Sequence, residues 1–286
     1  MPDAATLEPL EPTPKPRKVL VTGAAGRIGS YFAEHAPDRF DLRLMVRGDE
    51  RDLDRLKAWG EVVEADLSDL KRLKQACAGI DTVVHMAGDP DASAEWESLH
   101  ATNIVGTYNV FVAAKAAGCR RVIYASAIHA VSGYPAGVQV KPDEPVNPGD
   151  LYGVSKCFGE ALARYMAEQE GVSAICLRIG AFQPLEHAQG EDLANLDAFV
   201  SHRDLHGLIV RSIDDERLKF AIFHGLSDNA FKRLDISNAK ELVGYAPVDD
   251  FAHENPRLAP LELDETVITH SAVTDGAPSG LRADLG

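Results

Sequence analysis

A short apolar run, Val19-Leu20-Val21, breaks at Thr22-Gly23-Ala24-Ala25-Gly26-Arg27-Ile28-Gly29, and a helical pattern follows from about Gly26 to His35. Few chain paths satisfy that order. The run has the length and residue types of a buried strand. The glycines let the backbone turn tightly and let another group approach it closely. A helix starting there aims free N–H groups and a partial positive charge at whatever sits over the turn. Strand, glycine turn and helix in this order point to a pyrophosphate cradle built on Gly23, Gly26 and Gly29. An ordinary tight turn between strand and helix is the plain alternative.

The rest of the chain continues the alternation. Leu42-Arg43-Leu44-Met45-Val46, Val62-Val63 and Thr82-Val83-Val84-His85 read as further strands. A long helix fits Glu95 to Ala117, stopped by Gly118. Arg121 to Ala125 reads as a fifth strand, Leu151 to Gln169 as a helix, and Ser173 to Arg178 as a sixth strand. Strands and helices alternating over short connections predict parallel βαβ units, hence an α/β, Rossmann-type doubly wound sheet. After Gly180 the pattern loosens into a helix near Ala198 to Ile213, a strand near Phe220 to His224 and a helix near Ile236 to Val243. The expected organisation is a Pro-rich lead-in over 1–17, a dinucleotide-binding core over 18–180, and a small C-terminal substrate lobe of the same fold over 181–248. A loose tail completes it over 249–286, rich in Pro, Asp, Glu and Gly.

Composition narrows the function. The formal charge is -15, with 44 acidic and 29 basic residues. Nucleic-acid binding needs a basic face, and no Lys/Arg run supplies one. The acidity fits solubility or an adaptation to high salt. No apolar stretch reaches the roughly 20 residues that span a bilayer. The opening residues lack the basic start and apolar stretch of a signal peptide. Cys77, Cys119, Cys157 and Cys176 form no paired motif and read as free thiols in a reducing compartment, the cytoplasm.

Tyr152-Gly153-Val154-Ser155-Lys156 carries the chemistry. Tyr and Lys four apart share a helix face. A phenol of pKa about 10 is a poor base at neutral pH until a nearby ammonium favours its phenolate. Tyr152 then takes a proton from a substrate hydroxyl while hydride leaves the same carbon. His202 and His206 share helical spacing, but no third metal ligand accompanies them, and no metal is expected. At the end of the second strand an acid bonds adenosine ribose hydroxyls, whereas an arginine holds a 2′-phosphate. Here Val46 precedes Arg47, which leans the cofactor toward NADP, although Asp49 could still reach the ribose.

The glycine spacing, the Tyr-x-x-x-Lys helix and the strand order resemble the extended short-chain dehydrogenase/reductases over about Lys18 to Tyr245. That family includes the NAD-dependent epimerases and dehydratases. The resemblance implies NAD(P) held by Gly23, Gly26, Arg27, Ile28 and Gly29, by Arg47, by Asp66 and Leu67 at the adenine edge, by Met86, Ala87 and Gly88, by Asn103, and by Tyr152, Lys156 and Ile179. It also implies a catalytic hydroxyl at the end of the fifth strand. In Tyr124-Ala125-Ser126-Ala127-Ile128-His129 that position falls on Ala127, leaving Ser126, His129 or a water to serve. Losing one such donor costs several kcal/mol.

The segments His85 to Pro90, Leu151 to Glu160, Arg178-Ile179-Gly180 and Ser201-His202-Arg203-Asp204 narrow the likeness to the uronate dehydrogenase group. This group oxidises the anomeric C1 hydroxyl of a cyclic sugar. The likeness implies a small sugar, uronic acid or sugar phosphate as substrate, contacted by Asp89, Asp91, Ser126, His129 and Tyr152. It implies a homodimer through the helices around Asn103 and Tyr152. The group's arginine for the sugar carboxylate is absent from Leu193-Ala194-Asn195-Leu196, leaving Arg203 or Arg211 as substitutes. Two rival functions stand beside the dehydrogenase: a sugar epimerase or dehydratase that keeps its cofactor, and an NADP-binding sensor without turnover, favoured by Ala127.

Overall fold

The computed structural model describes residues 16–50, 53–190 and 192–261. Its centre is a parallel seven-stranded sheet in the order β3-β2-β1-β4-β5-β6-β9. The first half runs β1 (Arg17–Thr22), α1 (Arg27–His35), β2 (Phe40–Val46), α2 (Leu53–Lys57), β3 (Glu61–Glu64), α3 (Leu70–Ala76) and β4 (Thr82–His85). The expected strands and the first helix fall where the apolar runs put them. Two apolar layers sandwich the sheet. Val19, Val21, Phe32, Leu44 and Leu208 fill one. Leu20, Val83, Phe111, Val122 and Met166 fill the other. Neighbouring residues of one strand thus serve opposite layers, as the pleat requires.

The long helix expected over Glu95 to Ala117 is one helical run in three parts: α4 (Trp96–Ser98), a π-helical stretch (Leu99–Gly106) and α5 (Thr107–Ala117). Gly118 stops it in a left-handed conformation with φ 75°. The π stretch is a wider winding that helices use most at functional sites, and it carries Asn103. Next come β5 (Arg121–Ala127), a 3₁₀ turn (Ile128–Val131), α6 (Leu151–Glu168) and β6 (Ser173–Ile179).

After Gly180 the structure departs from expectation. The helix expected from Ala198 divides into β8 (Phe199–Ser201) and α8 (His202–Asp214). Phe199 and Val200 are wholly buried and pair with β7 (Ala181–Gln183), so they extend. The Ser201 hydroxyl then caps the helix by accepting the Asp204 N–H at 3.1 Å. β9 (Phe220–Gly225) pairs with β6 and completes the main sheet, and α8 packs against α1. The boundary at Gly180 therefore does not separate a core from a lobe. What stands over the sheet's carboxyl edge is β7, β8, α7 (Leu185–Ala188) and the chain after α9 (Ser237–Val243).

The loose tail expected over 249–286 is docked in its described part. Phe251 in α10 (Phe251–Glu254) is fully buried against Phe199, with ring centroids 5.7 Å apart. Asn255 Nδ2 donates to the Ala188 and Gly190 carbonyls at 2.9 and 2.8 Å. Buried Asp204 accepts the N–H groups of Val248 and Asp249, both at 3.1 Å. Residues 1–15 of the expected lead-in and 262–286 of the tail lie outside the described residues.

Candidate active site

The glycine turn has the geometry its residues promised. Gly26 ends the turn and starts α1, and its N–H donates to the Gly23 carbonyl at 2.9 Å. Gly23 has φ 66°, and a Cβ there would lie 2.8 Å from the Ala87 nitrogen. A Cβ at Gly29 would lie 2.3 Å from the Gly23 oxygen. The turn is therefore locked between α1 and the segment after β4. Gly26 and Arg27 stay exposed, so the first amides of α1 face open space at the sheet's carboxyl edge. That cradle fits a pyrophosphate. The Arg27 guanidinium reaches across to β7, donating to the Phe182 carbonyl at 2.7 Å and to Gln183 Oε1 at 3.1 Å.

Beside the turn, His85 is buried between two hydroxyls. Its Nδ1 lies 2.8 Å from Thr22 Oγ1 and its Nε2 3.3 Å from Thr107 Oγ1. Burial and the Lys156 charge push it down to about 3, so it stays neutral. Thr22 Oγ1 also accepts the Ala87 N–H at 3.2 Å. This small network fixes Met86-Ala87-Gly88 above β4.

Tyr152 and Lys156 come together on α6 with both side chains buried. Lys156 Nζ donates to the Ala125 carbonyl at 3.0 Å and lies 5.3 Å from the Tyr152 ring centroid. Burial lowers Lys156 to about 8, partly offset by Asp89. Burial raises Tyr152 to about 12, with the negative charges of Asp150 and Asp89 adding to it. Further positive charge must arrive before the phenolate forms readily. Asn103 ties this helix to the loop after β4. Its Oδ1 accepts the Asp89 N–H at 2.8 Å, and its Nδ2 donates to the Asp89 carbonyl at 3.0 Å and to Ser155 Oγ at 3.1 Å. Gly88, at φ 158°, leaves room for it: a Cβ would lie 2.8 Å from Asn103 Oδ1.

The end of β5 answers the question of the hydroxyl. Ala127 packs with Tyr152 and Leu99. Ser126 faces the other way and is committed elsewhere. Its hydroxyl donates to Glu160 Oε1 at 2.6 Å, and Arg178 donates to both Glu160 oxygens at 2.9 Å. Ser126, Glu160 and Arg178 are each at least 96% buried. Ser126 is therefore not presented beside Tyr152, because alternation along the strand turns it into this ion pair. His129 is better placed. Its ring meets Tyr152 edge to face with centroids 5.2 Å apart, and its Nδ1 lies 2.7 Å from Asp150 Oδ2. Asp150 also caps α6, accepting the Gly153 N–H at 2.7 Å.

The remaining expected residues scatter. Asp89 is part-buried near Tyr152 and Lys156, but its carboxylate accepts from Asp91 N–H and Ser98 Oγ. Asp91 is exposed and accepts the Ser93 N–H at 2.8 Å. Asp66 is exposed and holds Ser68, as an Asx turn does. The Leu67 carbonyl accepts from Asn109 at 2.8 Å. Ile179, 8% exposed, pairs with Ala127 at the end of β6. Arg203, largely exposed, pairs with Asp249, and exposed Arg211 points to the Val243 carbonyl at the end of α9 at 3.5 Å. His202 stacks on Phe182 at 4.1 Å and His206 lies 5.4 Å from the Phe32 ring, an aromatic packing role. Sequence reasoning missed Asp150 and Glu160. An Asp directly before a helical run is a readable cap signal. Glu160 had only its place four residues after Lys156, on the same face.

Together these features define a class: a Rossmann-type dinucleotide-binding protein with a Tyr/Lys pair at the mouth of its glycine cradle. The profile of the NAD dependent epimerase/dehydratase family matches residues 19–186. The chain belongs to that family. It is 34% identical over 254 residues to the NAD-dependent glucose-6-phosphate dehydrogenase of Haloferax volcanii, covering 82% of this chain and 94% of that one. It is 35% identical over 235 residues to a uronate dehydrogenase of Agrobacterium fabrum, covering 82% of this chain and 85% of that one. The crystal structure of uronate dehydrogenase from Agrobacterium tumefaciens superposes with a TM-score of 0.73 at 32% identity, covering 88% of this chain and 90% of the other.

Proposed function

We propose that this chain is an NAD(P)-dependent oxidoreductase that oxidises the anomeric C1 hydroxyl of a sugar, uronic acid or sugar phosphate. The observation that carries it is the buried Tyr152–Lys156 pair beside a glycine turn that tolerates no Cβ at Gly23 or Gly29. The names of its relatives, dehydrogenases of glucose 6-phosphate and of uronates, support a substrate of that kind.

In this reading the first α1 amides, at Arg27 and Ile28, hold the pyrophosphate, and Gly23, Gly26 and Gly29 let it approach the turn closely. Met86, Ala87, Gly88 and Ile179 line the cofactor's inner side, and Asp66 with Leu67 borders its adenine. Lys156 holds ribose hydroxyls from its anchor on the Ala125 carbonyl. Bound NAD(P)+ would supply the hydride acceptor and the positive charge that Tyr152 lacks. Tyr152 Oη takes the proton of the C1 hydroxyl as the C1 hydrogen leaves with its electron pair, and a C1=O bond forms. Asn103 keeps the Asp89 loop and α6 in register through its three hydrogen bonds. His129, held by Asp150, offers the sugar its Nε2 in place of the hydroxyl that Ala127 cannot give. Asp89 and Asp91 border the sugar.

Ala127 also favours a second reading, a dinucleotide-binding sensor without turnover. An epimerase or dehydratase of bulky nucleotide sugars is disfavoured by the small structure over the sheet edge. Four free thiols fit a reducing cytoplasm. Among the described residues no helix is long and apolar enough to cross a membrane. Exposed Val105, Tyr108, Val154 and Phe158 on the helices around Asn103 and Tyr152 fit a homodimer through that face. The test is turnover on aldoses, uronates and hexose phosphates, followed by transfer of C1 deuterium, as deuteride, to the nicotinamide. Deuterium appearing in the reduced cofactor supports the reading; reduced cofactor without it refutes C1 oxidation.

A further inference from the structure

We infer that Glu50 makes the dinucleotide site selective for free ribose hydroxyls, so that the chain prefers NAD to NADP. The inference rests on the dinucleotide reading of the glycine cleft and reverses the preference drawn from Arg47 alone.

The turn after β2 borders the glycine loop. Thr22 is in register with Met45, and the Ala24 N–H donates to the Met45 carbonyl at 3.2 Å. This is the edge where adenosine ribose meets the end of the second strand. The strand-end side chain, Val46, is buried and offers no acceptor. Glu50 supplies one. Its carboxylate folds back over the turn and accepts the Arg47 N–H at 3.0 Å on each oxygen and the Gly48 N–H at 2.8 Å. Successive backbone amides of this kind form an anion-binding concavity. Here the chain fills the concavity with its own carboxylate.

Burial pushes the Glu50 carboxyl up, but those amide donors and the Arg47 charge outweigh it and hold it below its usual value. The anion is therefore fixed and ionised. Arg47 is already drawn in two directions, with its Nε 3.3 Å from Asp49 and 3.7 Å from Glu50. The Glu64 carboxylate borders the same turn, since a Cβ at Gly48 would lie 2.6 Å from its Cδ. Asp66 also lies within reach of the Arg47 charge. A 2′-phosphate entering here meets like charge and finds the amides taken. Ribose hydroxyls are donors, and a pinned carboxylate accepts them.

Calorimetric titration of the whole protein with 5′-AMP and with adenosine 2′,5′-bisphosphate, which differ only at the 2′ position, tests this without turnover. The wild-type chain binds 5′-AMP tighter by about tenfold or more. Glu50→Gln, which keeps the shape and loses the charge, narrows the ratio to about threefold. Glu50→Ser provides the same comparison should the glutamine variant misfold. Equal or tighter wild-type binding of the bisphosphate overturns the inference, as does an unchanged ratio in folded Glu50 variants. Wild-type protein that binds neither ligand overturns the dinucleotide reading itself.

Discussion

Glu160→Gln is the most revealing single change in the scaffold beneath the Tyr/Lys pair. Glu160 sits on α6 four residues after Lys156 and accepts three hydrogen bonds, at 2.6, 2.9 and 2.9 Å. Arg178 is 1% exposed and its ion-pair partner Glu160 4%. The amide keeps the volume but removes the counter-charge and turns an acceptor into a donor facing either Ser126 or Arg178. Leaving one charge of a buried pair unmatched costs about 3–5 kcal/mol. For a chain of this size, that lowers the melting temperature by roughly 6–20 °C. Thermal unfolding followed by circular dichroism, at one protein concentration and without cofactor, reads the shift. Ser126→Ala is the companion. It removes one hydrogen bond and leaves the ion pair, costing about 1 kcal/mol, and it leaves kcat near wild type because the hydroxyl never faces Tyr152. A Glu160→Gln melting point within about 2 °C of wild type would refute the buried-pair account. A collapse of kcat in a stable Ser126→Ala protein would refute the claim that this serine is structural.

Acid should unfold the protein through its buried histidines. His85 falls to about 3, and His206 and His224 to about 4, because burial disfavours their charged forms. The unfolded chain binds protons near pH 6.5 that the folded chain refuses, so this stability is complete above that pH and is lost progressively as pH falls toward 4. Urea titrations between pH 7 and 4 should show that decline, and His224→Gln should make it shallower. Ala127→Ser places a hydroxyl beside Tyr152, but because His129 already fills that role kcat should stay within about threefold of wild type; a rise of about tenfold or more in steady-state assays would mean that His129 does not serve.

The order β1, glycine turn, α1 was legible because three local signals agreed: an apolar run, glycines needed for close approach, and a helix pattern. Tyr152 and Lys156 were legible because helical spacing alone puts them on one face. The β7–β8 pair was not. Phe199-Val200 is an apolar pair that helix and strand patterns share, and only its partner Ala181–Gln183, distant in sequence, decides between them. The docking of residues 249–261 was hidden for a related reason. Asp204, Asn229 and Asn255 hold it by accepting or donating to backbone groups, and such buried polar clamps leave no periodic trace. Strand spacing put Ala127 at the site-facing position in the sequence, with Ser126 kept as a substitute hydroxyl; what the sequence did not carry is the Glu160–Arg178 pair that takes Ser126. Arg47 was weighed without Glu50, whose folding back onto the Arg47 and Gly48 amides is a local turn contact that leaves no helical or strand period to read.

Initial-rate formation of reduced nicotinamide by the wild-type chain and by Tyr152→Phe tests the central claim most directly, with NAD+ and NADP+ in parallel and glucose 6-phosphate, glucuronate, galacturonate and free aldoses as substrates. The account predicts turnover on one of these sugar classes, faster with NAD+, and loss of at least about two decades of kcat in Tyr152→Phe with dinucleotide binding retained. Undiminished turnover in Tyr152→Phe, or dinucleotide binding with no turnover on any sugar, would contradict it.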